Sequence, residues 1–191
     1  MEIIFATHNT NKVREIRSLF PSSIQVKDLS SIGITDEIPE TGNTIQENAV
    51  IKARFVYDKF GLNCFADDTG LEVDVLNGRP GVYSARYAGD NKSAAENIVK
   101  LLSELKGQPN RSAKFKTCIA AFIDGKQYLF DGVIEGSIAL SQTGTNGFGY
   151  DPIFIPEEKA ITFAQMGLEE KNKLSHRAIA TNKLLEFLKK V

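Results

Sequence analysis

Residues 3–12, with the sequence IIFATHNTNK, pass from an apolar run into a polar turn and then into an amphipathic segment. The run at residues 3–6 predicts a short buried strand. Val13, Ile16 and Phe20 are spaced to share one face of a helix that follows the turn. A strand, a polar turn and a helix in this order are typical of the first unit of an α/β fold.

A long helix is predicted to follow residue 44. Thr44, with Glu47 three residues later, forms a capping box at its start. Its buried stripe is predicted to consist of Ala49, Ala53, Val56 and Phe60. Beyond this helix, residues 64–66 are a short apolar strand that is expected to end in an acidic turn at residues 67–70. Residues 71–76 then alternate between apolar and polar side chains, as a further strand does.

The second half of the chain predicts another helix, a hairpin and a terminal helix. Ser93 is a helix cap, and Asp124-Gly125 between two apolar runs indicates a β-hairpin. Residues 169–190 are predicted to form one helix. Because no repeat, linker or low-complexity tract interrupts the pattern, we expect a single α/β domain over residues 1–191, with a mixed twisted sheet flanked by helices.

Composition excludes several classes of protein. The 191 residues carry 23 Lys and Arg against 24 Asp and Glu, a net charge of −1. This charge disfavours a partner made of nucleic acid or an anionic membrane surface, because such binding depends on excess basic residues. Two cysteines do not make a disulfide framework, and no apolar run approaches the 18 residues of a membrane span. With no signal peptide at its start, the chain is expected in the cytoplasm.

The turn at residues 7–12 is a candidate phosphate site. A helix N-terminus carries free N–H groups and a partial positive charge, so anions bind there readily. Lys12 adds a full charge within the first turn, and Thr7 and Asn9 supply neutral donors. The same residues also fit an ordinary capped turn between a strand and a helix.

The acidic segment is a candidate metal site. Asp67, Asp68, Glu72 and Asp74 fall within eight residues, with no Lys or Arg between residues 59 and 79. Such carboxylates repel one another unless a cation is present, and Mg²⁺ needs one or two of them. A solvated turn, or pairing with distant arginines, is the alternative. Glu40 becomes a further ligand if its loop folds back over Asp68.

Two more segments have the composition of a nucleotide site. Phe148 stands between Gly147 and Gly149, so a base could approach the backbone and stack on its ring, while Asp151 could accept hydrogen bonds from the ring edge. The segment at residues 171–177 gathers three cations and an amide on one predicted helix face. A core Phe in a glycine-rich turn and a solvated helix start are the ordinary alternatives. Since no nucleophile–base pair is present, metal-assisted attack by water is the favoured chemistry.

Six blocks of sequence together resemble the inosine triphosphate pyrophosphatase family (dITP/XTP pyrophosphatases). They span most of the chain in the expected order, and lie at residues 5–12, 40–49, 66–71, 80–87, 147–152 and 175–177. Two positions depart from the family pattern. Thr69 stands where serine is common, and His8 replaces a common glycine in the first loop.

The resemblance implies a two-lobed fold with a central cleft and a homodimeric, Mg²⁺-dependent hydrolase. Its substrates would be ITP, dITP and XTP, cleaved to the monophosphate and pyrophosphate. It implies that Glu40 and Asp68 bind the metal, and that Asp68 also accepts a proton from the attacking water. The implied substrate contacts are Thr7, His8, Asn9, Thr10, Asn11, Lys12, Thr69, Phe148, Gly149, Tyr150, Asp151, Lys171, His176 and Arg177.

Two other functions are also compatible with the sequence. One is a pyrophosphatase for modified pyrimidine or 7-methylated nucleotides, which the Phe148–Asp151 block disfavours. The other is a nucleotide-binding module without turnover, which the presence of Lys12, Glu40 and Asp68 disfavours.

Overall fold

The computed structural model describes residues 1–190, which form two compact units. The first unit consists of Met1–Asp68, Thr117–Gly132 and the described chain from Arg177 onward. The second unit consists of Thr69–Lys116 and Val133–His176. The sequence-based expectation of a single domain over residues 1–191 stays a prediction.

The strands of the described residues belong to one mixed sheet. They are β1 (Glu2–Phe5), β2 (Gln25–Asp28), β3 (Cys64–Val73), β4 (Pro80–Gly81), β5 (Ser112–Ile123), β6 (Lys126–Ile138) and β7 (Phe154–Pro156). Their order is β2-β1-β3-β5-β6-β7, and β4 pairs with β3. β1 runs parallel to β2 and to β3. β4 pairs antiparallel with β3, and β7 pairs antiparallel with β6. The predicted mixed sheet is therefore confirmed.

The described residues contain five α-helices. They are α1 (Thr10–Leu19), α2 (Ile45–Phe60), α3 (Ala94–Glu104), α4 (Leu168–Lys171) and α5 (His176–Leu188). Ser93 caps α3 by accepting the N–H of Glu96, as predicted. Within residues 1–190, no helix is long and apolar enough to cross a membrane.

In the first unit, the sheet is buried on both faces. Successive side chains of a strand point to opposite faces, so Ile4 of β1 joins one apolar cluster while Ile3 and Phe5 join another. Ala49 and Ala53 of α2 belong to the Ile4 cluster. The cluster of Ile3 and Phe5 contains residues of α1 and α5, namely Val13, Ile16, Ala180, Leu184 and Leu188.

The second unit has an apolar cluster of its own. Leu101 and Leu105, on α3 and at its end, pack there with Phe154 of β7 and with Phe163. The ring of Phe115, from β5, is 4.7 Å from that of Phe154 between centroids.

Three sequence-based predictions about elements are wrong. Residues 64–73 form the single strand β3, so Asp67 and Asp68 lie inside a strand rather than in a turn. The strand predicted over residues 71–76 ends at Val73, and residues 74–76 form a 3₁₀ turn. The predicted helix over residues 169–190 is broken, because α4 ends at Lys171 and the chain restarts as α5 at His176. The Lys171 carbonyl accepts the N–H groups of both Leu174 and Ser175 in the turn between them. Lys173 therefore does not share a helix face with Arg177.

Both ends of α2 also differ from expectation. Phe60 ends α2 with 37% of its surface exposed rather than in the buried stripe. Phe20, which follows α1, does pack against the same apolar cluster as Val13 and Ile16. Thr44 caps α2, but the Glu47 carboxylate accepts the N–H of Asn43 instead of closing a box with Thr44.

Candidate functional site

Asp67 and Asp68 are adjacent in β3, and their side chains point to opposite faces of the sheet in the first unit. Phe65 belongs to the cluster covered by α1 and α5, and Cys64 and Ala66 to the cluster covered by α2. By the same alternation, Asp67 meets α1 and α5, while Asp68 meets α2. Both side chains are buried.

Asp67 is held between two cations. Its Oδ1 accepts from Lys12 Nζ at 2.9 Å and its Oδ2 from Arg177 Nε at 2.9 Å. Arg177 also donates from Nη1 to Glu15 Oε2 at 2.5 Å, so a buried chain of charges joins α1, β3 and α5. Burial alone would raise the pKa of Asp67, but Lys12 and Arg177 outweigh burial and hold that pKa well below its usual value.

Asp68 faces a lysine that it shares with Glu40. Lys52 Nζ lies 3.3 Å from Asp68 Oδ1 and 2.7 Å from Glu40 Oε1. Burial raises the pKa of Asp68 above its ordinary value, although Lys52 and Lys12 act in the opposite direction. Burial would lower the pKa of Lys52, yet the carboxylates of Asp68 and Glu40 raise it.

The turn before α1 is only partly available to an anion. Asn9 caps the helix, and its Oδ1 accepts the N–H groups of Asn11 and Lys12. The hydroxyl of Thr7 accepts the N–H of Asn9. The backbone N–H groups of Asn9, Asn11 and Lys12 are thus already bonded to side chains of the turn. Burial lowers the pKa of the Lys12 ammonium.

The remaining predicted members of this turn lie at its surface. His8 Nε2 is 3.0 Å from the carbonyl oxygen of Asp36, and Thr10 is the first residue of α1. Both side chains lie at the same end of α1 as Lys12.

The donor set of the first unit fits Mg²⁺. Within residues 1–190, no group of three or more His, Cys, Asp or Glu side chains is arranged to hold a metal ion. Mg²⁺ needs only one or two carboxylates, because waters and substrate phosphates complete its ligands. Glu40 and Asp68 both bond to the ammonium of Lys52, so their oxygens already converge on a cation.

The second unit holds the glycine-rich loop and a buried ion pair. Asp151 Oδ2 accepts the N–H of Phe148 at 2.8 Å and the ammonium of Lys171 at 2.5 Å. Lys171 Nζ also lies 5.2 Å from the ring centroid of Phe148 and 5.3 Å from that of Phe163, within the range of cation–π attraction. Phe148, Asp151 and Lys171 are therefore brought together as one group.

The other predicted residues of this unit are Tyr150, His176, Gly149 and Thr69. The hydroxyl of Tyr150 donates to the carbonyl of Ser84 at 2.9 Å, a structural role. His176 is buried with its ring stacked on Phe115, 4.7 Å between centroids. Gly149 has a φ of +60°, which favours glycine. Thr69 follows Asp68 in β3.

Sequence reasoning missed three polar residues of the first unit, namely Glu15, Asn48 and Lys52. Lys52 and Asn48 are buried on the α2 face that also carries Ala49 and Ala53. A cation at a buried position of an otherwise apolar stripe is the signal that could have identified Lys52. Glu15 lies beside Ile16 in α1 with no such pattern, and its partner Arg177 is 162 residues away.

Comparison with known proteins identifies the family of the chain. The Ham1 family matches residues 3–187. The dITP/XTP pyrophosphatase of Christiangramia forsetii is 56% identical over 100% of both chains. That of Flavobacterium psychrophilum is 53% identical over 99% of this chain and 100% of its own. The solved structure of a HAM1 protein from Coxiella burnetii superposes with a TM-score of 0.91 at 40% identity, covering 100% of each chain.

These matches run from end to end and include every segment described above. They confirm the resemblance that the six sequence blocks indicated, and the chain belongs to the Ham1 family.

Proposed function

We propose that the protein is a nucleoside triphosphate pyrophosphatase that removes non-standard purine nucleotides, namely ITP, dITP and XTP, from the cytoplasmic pool. The observation that carries this proposal is that the buried Asp68 and the partly buried Glu40 bond to one buried lysine, Lys52, while Lys12 bonds to the neighbouring Asp67. Carboxylates next to a desolvated ammonium suit the hydrolysis of a polyphosphate. The relatives' shared name supplies the substrate class.

The reaction consumes one water. Its oxygen attacks the α-phosphorus, the bond from that phosphorus to the bridging oxygen breaks, and pyrophosphate leaves with the monophosphate as second product. Asp68 accepts the proton of the attacking water, and the raised pKa of its buried carboxyl suits a general base. Lys12 and Lys52 stabilise negative charge on the phosphate oxygens.

Mg²⁺ would be held by Glu40 and Asp68. When bound, it polarises the phosphoryl group and neutralises phosphate charge. Lys52 contacts an oxygen of each carboxylate and so offsets part of their negative charge. Asp67 acts differently, because Lys12 and Arg177 already balance its charge.

The base is assigned to the loop of the second unit. Phe148 offers a ring face, and Asp151 fixes the ammonium of Lys171 beside it. Lys171 would donate to the 6-keto oxygen of inosine or xanthine. Adenine carries an amino group there, so a buried donor would stay unpaired, and such mismatches cost roughly 10⁴-fold in specificity. Arg177 is less suited to this task, since two of its donor atoms are bonded to Asp67 and Glu15.

The remaining substrate contacts follow the sequence-based prediction. Thr7–Lys12 are assigned to the triphosphate, and Thr69, His176 and Arg177 complete the contacts. The protein is expected to act as a homodimer, which light scattering after gel filtration would measure.

The experiment that tests the reaction is hydrolysis of ITP in oxygen-18 water with MgCl₂. The proposal predicts IMP and pyrophosphate in equal amounts, with the label in IMP. Release of orthophosphate, or label in pyrophosphate, would contradict attack at the α-phosphorus.

A further inference from the structure

Asn48 connects the loop of Glu40 to the strand of Asp68. Its Nδ2 donates to Asp68 Oδ2 at 3.3 Å, and its Oδ1 accepts the N–H of Gly42 at 2.8 Å. The side chain is fully buried. One amide thus contacts both segments that carry the proposed metal ligands.

The amide is the group that this position requires. Asn48 must present an acceptor to a backbone N–H and a donor to a carboxylate, and the Asn side chain provides both. An aspartate would place a second negative charge against Asp68, and an apolar residue would satisfy neither neighbour. Asn is a poor helix former, so its place inside α2 has no local explanation.

Asn48 and Lys52 act on the two oxygens of the same carboxylate. They are four residues apart on one face of α2, and Lys52 Nζ lies near Asp68 Oδ1 while Asn48 bonds to Oδ2. Two donors from one helix fix the plane of the Asp68 carboxylate. Lys52 also holds Glu40, so the loop is attached to α2 at Glu40 and at Gly42.

The loop approaches the helix as closely as a glycine permits. A Cβ at Gly42 would lie 2.6 Å from Glu47 Cβ and 2.8 Å from Asn48 Oδ1. The contact between Gly42 and Asn48 therefore sets the height of the Glu40 loop over β3.

We propose that Asn48 is a positioning residue that orients Asp68 and the Glu40 loop so that both carboxylates can bind one Mg²⁺. This inference rests on the proposed function, which assigns the metal to those two side chains. Mg²⁺ demands near-ideal octahedral geometry, so prealigned ligands raise its affinity. Loss of a group that orients metal ligands typically weakens binding by roughly 10–100-fold.

The test compares Asn48→Leu with Asn97→Leu. Asn97 is an informative control, because it is likewise the fourth residue of a helix, is buried, and bonds through its side-chain amide to the backbone of a neighbouring loop. Its Oδ1 accepts the N–H of Ala88 and its Nδ2 donates to the Ala85 carbonyl, with no carboxylate involved. Mn²⁺, which shares the oxygen ligands of Mg²⁺, is titrated into each protein without substrate, and free Mn²⁺ is followed by EPR.

We expect Asn48→Leu to raise the Mn²⁺ dissociation constant about 10–100-fold. The Mg²⁺ concentration for half-maximal ITP hydrolysis should rise in parallel, with KM for ITP at saturating Mg²⁺ changed less than threefold. Asn97→Leu should lower Tm but leave metal affinity at the wild-type value.

Wild-type metal affinity in folded Asn48→Leu would overturn the inference, as would an equal loss in both variants. Asn48→Ala, which introduces no new bulk, is measured in the same way if Asn48→Leu does not fold. A wild-type protein that hydrolyses no triphosphate, yet shows the metal-binding contrast between the variants, would refute the proposed function alone.

Discussion

At the scale of single residues, the clearest feature is the opposite behaviour of Asp67 and Asp68. Two cations hold the pKa of Asp67 below its usual value, whereas burial raises that of Asp68. The lowered pKa of Asp67 favours its ionised form, whose charge Lys12 and Arg177 balance, while the raised pKa of Asp68 favours uptake of a proton. This contrast favours Asp68 over Asp67 as the proposed base.

Asp68→Asn is expected to lower kcat for ITP by about 10²–10⁴-fold, the usual contribution of a general base. The amide is isosteric and can still contact Lys52, so Tm should change by only a few degrees. Steady-state kinetics and thermal unfolding measure both effects. Retention of most of the activity would remove Asp68 from the role of base.

At the scale of elements, the buried charges hold helices against the sheet. Arg177 of α5 reaches Asp67 of β3 and Glu15 of α1, with both side-chain ion pairs almost fully buried. Removal of one partner from such a group leaves an uncompensated charge, which costs far more than the loss of an exposed pair.

Asp67→Asn is therefore expected to lower the free energy of unfolding by about 3–5 kcal/mol, measured by urea titration. Asp28→Asn serves as control, because Asp28 pairs at the surface with Arg17, and a loss of about 0–1 kcal/mol is expected there. Equal losses in the two variants would contradict the structural role given to Asp67.

The glycine-rich loop depends on close approach at one position. Gly147 has a φ of +74°, and a Cβ there would lie 2.0 Å from Asp151 Oδ2. Gly147→Ala should displace the carboxylate that holds Lys171 and raise KM for ITP by about tenfold or more, the cost of losing one charged hydrogen bond. Gly149→Ala is the comparison, since its φ is similar but no atom lies within 4 Å of the added Cβ. A larger effect at Gly149 would show that backbone strain, not the Asp151 contact, controls this loop.

At the scale of the whole molecule, much of the α/β pattern follows from the sequence. Short apolar runs and caps such as Ser93 predict most elements, because these signals are local. The partners of Asp67 and Asp68 are not local. Lys12, Lys52 and Arg177 reach β3 from three helices, so acidic residues that appear unpaired along the chain are paired in the fold. The break after Lys171 could not be predicted from the sequence either, because residues 169–190 have helical periodicity throughout.

Because both cysteines are buried, the free energy of unfolding is expected to fall at alkaline pH. Burial raises the pKa of Cys64 and of Cys118 from 9.0 to about 12. The unfolded thiols ionise first, so this contribution to stability is complete below pH 9 and is lost as the pH rises toward 12. The free energy of unfolding should fall from pH 9 to 11, less steeply in a Cys64→Ala/Cys118→Ala variant.

Both thiols should resist DTNB at pH 8 until the protein unfolds, and rapid labelling of the native protein would contradict this burial.

The central claim is tested most directly by pyrophosphate release from ITP, XTP, ATP and GTP, each with MgCl₂ and with EDTA. The account predicts rapid release from ITP and XTP with MgCl₂, little from ATP, and none with EDTA. GTP also carries a 6-keto oxygen, so a low rate with GTP would place a further contact at position 2 of the base. Equal hydrolysis of ATP and ITP would contradict the role given to Lys171. Tight ITP binding without turnover would identify a nucleotide-binding module instead.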